Sequence, residues 1–144
     1  MTHFPITATD SVLVVVDVQD KLLAKMPTAN ALVRSVGFLI DVADTLGVPV
    51  RATEQYPKGL GPTTAEIARR LRQPVPSKTS FSCCGAVGFV DDIKATGRRT
   101  VVLVGMETDV SNVAGMTFDC LSTERWQDFI RCDSPELGRR DLVV

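Results

Sequence analysis

The chain predicts an α/β protein, a three-layer α/β/α, Rossmann-like arrangement with helices on both faces of a parallel sheet. Three observations carry this expectation. Residues 12–16 and 100–104 are short β-branched apolar runs without polar alternation, as in strands buried on both faces. Between them lie segments whose apolar residues recur every three or four positions, the period of a helix packed on one side. Strand and helix patterns alternate along the chain without internal repeat or linker, which implies right-handed crossovers in one domain spanning 1–144.

In chain order, the first strand covers 12–16 and ends at Asp17. A helix over 31–46 follows, with Leu32, Val36, Leu39, Ala43 and Leu46 on its apolar face, Asn30 as cap and Gly47 as terminator. A second strand is expected over 48–53. The stretch TEQYPKGLGPT is too rich in Gly and Pro for either regular element and reads as a loop. Thr63 and Glu66 form a capping box for a short helix through Leu71. A brief strand at 75–78, a helix over 86–95 closed by Gly97, and a strand at 100–104 come next. A helix starting near 109–111 and a further strand over 129–132 complete the expected order.

Composition narrows the function classes. The 144 residues are 44% hydrophobic and 23% charged, with a net charge of −1, so nothing electrostatic favours a nucleic acid or anionic membrane partner. Of the four cysteines, Cys83 and Cys84 are adjacent while Cys120 and Cys132 stand apart, with no CxxC spacing. Reduced thiols in a cytoplasmic protein fit that pattern. The opening MTHFPITATDSV lacks the basic and apolar regions of a secretory signal, and no run approaches a membrane span. His3 lies in a tail and no His/Asp cluster occurs, so neither a catalytic metal nor a cofactor is expected.

Open parallel sheets bind ligands beyond the carboxyl ends of their strands. The residues to weigh are therefore Asp17, those at 53–56, Lys78 and those at 107–111. Asp17 is either a loop cap or a partly desolvated carboxyl able to exchange a proton with substrate. Gln19 either orients it or is solvated. Lys78 is a surface lysine unless the sheet order brings it to the rim beside Asp17, where it would hold negative charge. Glu54, Gln55 and Tyr56 lie just past a strand end and are placed to line a substrate pocket. Ser111 sits where outward N–H groups at a helix start can bind an anion, and it can equally be an ordinary cap. Cys83 and Cys84 read as packing residues at the next helix, with a thiol nucleophile or redox role as the other reading.

Together, VLVVVDVQDKLL, VPVRATEQYPKGLGPT, the lysine of PSKTSFS and VVLVGMETDVS resemble the isochorismatase-like cysteine hydrolases, over about Ser11 to Ser111. The TEQYPKGLGPT loop looks most like the branch of isochorismatase domain-containing proteins. That resemblance implies a six-stranded parallel sheet and a catalytic Asp, Lys and Cys set at Asp17, Lys78 and position 111. It also implies a cis peptide at Met106–Glu107, an oxyanion hole from the amides of Glu107 and Ser111, and assembly as a homo-oligomer.

Position 111, however, is serine. A thiol ionises near pH 8.5, whereas an alcohol is several units weaker and normally needs a His-type base that this chain lacks. Covalent amide hydrolysis should therefore be strongly impaired. Isochorismatases proper, by resemblance, cleave a vinyl ether without a cysteine, using the Asp as general acid, and Ser111 is compatible with that route. The expectation is a hydrolase acting on a small-molecule C–O or C–N bond through Asp17 and Lys78. The alternative is a catalytically impaired relative that binds a small carboxylate or a protein partner. The C-terminal region follows the family loosely, and its last strand and helix are expected to be missing or divergent.

Overall fold

The computed structural model describes residues 7–79, 83–105 and 119–122, with the backbone alone for 84 and 119–122. A 3-10 turn at Ala8–Asp10 leads into strand β1 (Ser11–Val16), helix α1 (Asp20–Leu23), helix α2 (Ala29–Thr45) and strand β2 (Val50–Gln55). Helices α3 (Pro57–Leu60) and α4 (Ala65–Ala68), strand β3 (Ser77–Lys78) and a second 3-10 turn at Cys83–Gly85 follow. Helix α5 (Phe89–Ala95), strand β4 (Thr100–Gly105) and strand β5 (Asp119–Ser122) complete the order.

The sheet runs β3-β2-β1-β4-β5, with β1 at its centre. β1 pairs in parallel with both β2 and β4, and β2 with β3. This is the predicted parallel sheet. β5 adds an antiparallel edge, Thr100 lying opposite Ser122, that the sequence reading did not contain. Its sequence DCLS has no apolar run to announce a strand, and an antiparallel edge on a parallel sheet is a common addition.

Alternation along β1 and β4 splits the core into two layers. Leu13, Val15 and Val104 pack with Val36 and Ile40 of α2 and with Ile67 of α4. Val12, Val14, Val101 and Leu103 turn the other way onto Phe89 and Ile93 of α5. Hence both faces of the central strands are dry, which is why their sequences carry no polar alternation.

Several local expectations shift. α2 starts two residues earlier than expected, so Asn30 lies inside it, and Leu46 is exposed beyond its end. Gly47 does terminate it, at φ +68, with Val48 N–H bonding back to Ala43 O. The Thr63–Glu66 capping box is absent: Thr64 occupies the cap position, and the Thr63 N–H donates instead to Glu54 Oε1 at 2.7 Å. A carboxylate delivered by the end of β2 has displaced the local cap. The stretch read as pure loop contains α3, a single turn with Pro57 at its first position, where the missing N–H has no helical partner to lose. The expected helix near 109–111, the strand over 129–132 and the cis peptide at Met106–Glu107 lie outside the described residues.

Candidate functional site

The carboxyl ends of β1, β2 and β3 bring three side chains together. Asp17 follows β1 with φ +53, a left-handed conformation that aspartate tolerates better than most residues and that ends the strand abruptly. Lys78 closes β3, pairs in register with Gln55 and accepts the Tyr56 N–H on its carbonyl at 2.7 Å. Its ammonium reaches Asp17 Oδ2 at 2.7 Å, and the lysine side chain is fully buried. Thr53 Oγ1 donates to the other carboxylate oxygen, Oδ1, at 2.9 Å. The Asp17 N–H in turn donates to Thr53 O at 3.1 Å, so the two residues clasp each other through backbone and side chain.

Burial pushes the Asp17 carboxyl above its ordinary value, against the lowering effects of Lys78 and Thr53, with a smaller push upward from Glu54. The result is a carboxyl that takes up a proton more readily than a surface aspartate, beside a cation that holds its ionised form. Such a pair can give and recover a proton within one reaction cycle.

Close backbone approach completes this end of the sheet. Gly105, the last residue of β4, lies opposite Val16, and a Cβ built there would sit 2.1 Å from Val16 O. Only glycine lets the two strand ends come this near.

The rim residues lie on the same edge in other roles. Gln19 is neither solvated nor bonded to Asp17. It is fully buried, its amide N–H groups donate to Gln55 O (2.9 Å) and Gly61 O (2.7 Å), and its Oε1 accepts the Gln55 N–H (2.8 Å). Glu54 caps the Thr63 N–H, as above. Tyr56 stands 54% exposed with φ +39, and its ring lies so close over Gly59 that any β-carbon there would meet it at 2.2 Å. Glu107 and Ser111 lie outside the described residues.

The role of Thr53 and the place of Cys83 beside it escaped the sequence reading. Thr53 was in the window to inspect but carried no assigned role; the signal was the parallel register, which pairs it with Val16. Cys83, half-buried against the α5 layer, places Sγ 3.9 Å from Thr53 Oγ1. Its proximity depends on how the chain returns after β3, for which the sequence has no local marker.

The isochorismatase domain profile matches residues 11–120, which include β1 to β4 and every residue of the cluster. The chain belongs to the isochorismatase domain family. It is 35% identical over 111 residues to human isochorismatase domain-containing protein 2, covering 77% of this chain and 53% of that protein. Among solved structures, the MAR1 ribonuclease from Caenorhabditis elegans is 36% identical with a TM-score of 0.63, over 71% of this chain and 53% of that one. The Escherichia coli YcaC gene product, described as an octameric hydrolase of unknown specificity, has a TM-score of 0.66 at 22% identity, over 76% of this chain and 56% of that one. That last likeness concerns the fold. This isochorismatase-family chain spans about half the length of the curated relatives it matches.

Proposed function

We propose that the chain is a small-molecule hydrolase of the isochorismatase type, acting on a vinyl ether or amide bond through Asp17 and Lys78. The observation that carries this reading is the buried 2.7 Å contact between Lys78 Nζ and Asp17 Oδ2 at the carboxyl end of a parallel sheet. For a vinyl ether, Asp17 in its acid form delivers a proton to the terminal vinyl carbon. Water then adds to the resulting oxocarbenium carbon and its proton returns to Asp17; the hemiketal C–O bond breaks as the remaining hydroxyl proton passes to the departing oxygen, leaving a ketone and an alcohol. Lys78 stabilises the carboxylate during the interval in which it lacks the proton. In this scheme Ser111 and the amides of Glu107 and Ser111 bind substrate oxygen, and Gln55 and Tyr56 form the substrate-facing rim. Gln19 and Glu54 contribute by fixing its backbone.

The serine at position 111 favours a second reading, a family member that binds a small carboxylate without turning it over. Self-association accompanies either reading, supported by the octameric description of the YcaC relative. Cytoplasmic residence fits the cysteine pattern.

The test is a turnover panel of isochorismate, small amides and, given the name of the C. elegans relative, short RNA. The hydrolase reading expects product from isochorismate or an amide, lost in Asp17→Asn; cleavage of the RNA alone would overturn it. Thermal stabilisation by a small carboxylate without product, and amidase activity only in Ser111→Cys, would support the binding reading instead. Light scattering of the purified chain reads the oligomeric state, and a monomer at micromolar concentration refutes self-association.

A further inference from the structure

The two oxygens of Asp17 have different kinds of neighbour. Oδ2 faces the Lys78 ammonium at 2.7 Å, a group with hydrogen-bond donors and no acceptor. Oδ1 faces the Thr53 hydroxyl at 2.9 Å, a group that donates in one rotation and accepts in another. A proton arriving on Oδ2 would point its O–H at a cation that cannot accept it. A proton arriving on Oδ1 meets a hydroxyl able to turn and receive it. The hydroxyl must then direct its own hydrogen elsewhere, and Cys83 Sγ, at 3.9 Å, lies within reach of a sulfur hydrogen bond. Thr53 is 1% exposed, which keeps bulk water from taking over either role. Meanwhile the bond from Asp17 N–H to Thr53 O holds the two residues in place whichever way the hydroxyl turns.

We infer that Thr53 is a positioning residue whose hydroxyl rotor assigns the acidic proton of Asp17 to Oδ1 and turns toward Cys83 Sγ when that proton is present. The inference rests on the hydrolase reading only in that this proton is the one delivered to substrate. Among the described residues, the titratable or charged groups facing Asp17 are Lys78 from β3, Glu54 from β2 and, across Thr53, Cys83 from the second 3-10 turn. None of these three can replace a neutral rotor: Lys78 only donates, Glu54 acts as a like charge, and Cys83 is separated from Asp17 by Thr53 itself.

The experiment follows the Asp17 carboxyl of the whole chain by carbon NMR with labelled aspartate across pH. Thr53→Ser retains the hydroxyl and leaves the midpoint in place. Thr53→Val keeps the shape, removes the rotor, and raises the midpoint by about one pH unit, because the charge-assisted bond lost by the ionised form is stronger than the neutral bond lost by the acid. An unmoved midpoint in a folded Thr53→Val reduces Thr53 to a packing residue and overturns the inference. The wild type gives a second measurement that depends on no variant. The shielded Thr53 hydroxyl proton should titrate with the Asp17 midpoint and shift its cross-peaks toward Cys83 as the pH falls; a hydroxyl indifferent to pH overturns the inference as well. Neither measurement needs turnover. A silent substrate panel with a moving midpoint removes the hydrolase reading alone, and an active enzyme with an unmoved midpoint removes the rotor alone.

Discussion

Two aspartates flank β1, Asp10 just before it and Asp17 just after, and each pairs with a cation brought from far along the chain. Asp10 takes the Arg99 guanidinium at 3.1 Å at the open end of the strand, where the arginine side chain is 79% exposed. Asp17 takes Lys78 at 2.7 Å at the closed end, where the lysine is fully buried. The hydrogen bond from Arg99 holds the Asp10 carboxyl below its ordinary value of 3.8, whereas burial pushes Asp17 above the same value. One strand therefore carries the same acid, similarly paired, with opposite shifts. Solvent access, and not the presence of a partner, sets the direction.

The largest effect that could break this contrast is at the buried pair. Lys78→Ala leaves a desolvated carboxylate without its cation and should lower unfolding free energy at neutral pH by about 3–5 kcal/mol. Urea denaturation would read it, and the loss should shrink in acid as Asp17 becomes neutral. A deficit that stays constant with pH would mean Lys78 acts by packing alone.

Next come two glycines near the opposite ends of the strand. Gly105→Ala forces a β-carbon onto Val16 O and should destabilise by about 3 kcal/mol. Gly47→Ala meets nothing within 4 Å and bears only the left-handed backbone strain, about 1–2 kcal/mol. Equal effects would show that the closed end relaxes as easily as the open one.

The pH dependence sharpens the comparison further. Asp17 is raised in the native state, so its contribution is fully present below the ordinary carboxylate value and is lost as pH rises through the raised native value. Asp10 is lowered, so its contribution is present above the ordinary value and is lost as pH falls through the lowered native value. Denaturation series on Asp17→Asn and Asp10→Asn should therefore differ from wild type with slopes of opposite sign. The smallest effect is expected for Arg99→Ala, within the scatter of repeated denaturation curves and further reduced by salt, since exposed pairs contribute little.

What the sequence disclosed follows the same division between local and distant causes. The runs at 12–16 and 100–104 were legible because strands dry on both faces must be apolar throughout. Asp17 and Lys78 could be brought together because parallel order alone carries both to one edge of the sheet. Thr53 needed the strand register, which a run of apolar residues does not specify. The Thr63–Glu66 box failed because Glu54 intervened from β2, and α3 was hidden because one turn starting at Pro57 has the composition of a loop. Gln19 was the least legible. Nothing in VVVDVQD distinguishes a solvated amide from one buried against another loop.

That glutamine has a consequence for which changes this chain's rim can absorb. All three bonds of its side chain end on main-chain atoms, at Gln55 and Gly61, and none on another side chain. The arc between those anchors is thus fastened independently of the residues it displays. Side chains at 58 and 60 can be exchanged while the fastening stays the same, whereas Gly59 is tied to the Tyr56 ring above it. An insertion or deletion, which moves the anchors, is a different event. The segment is built to vary in chemistry and to resist variation in length.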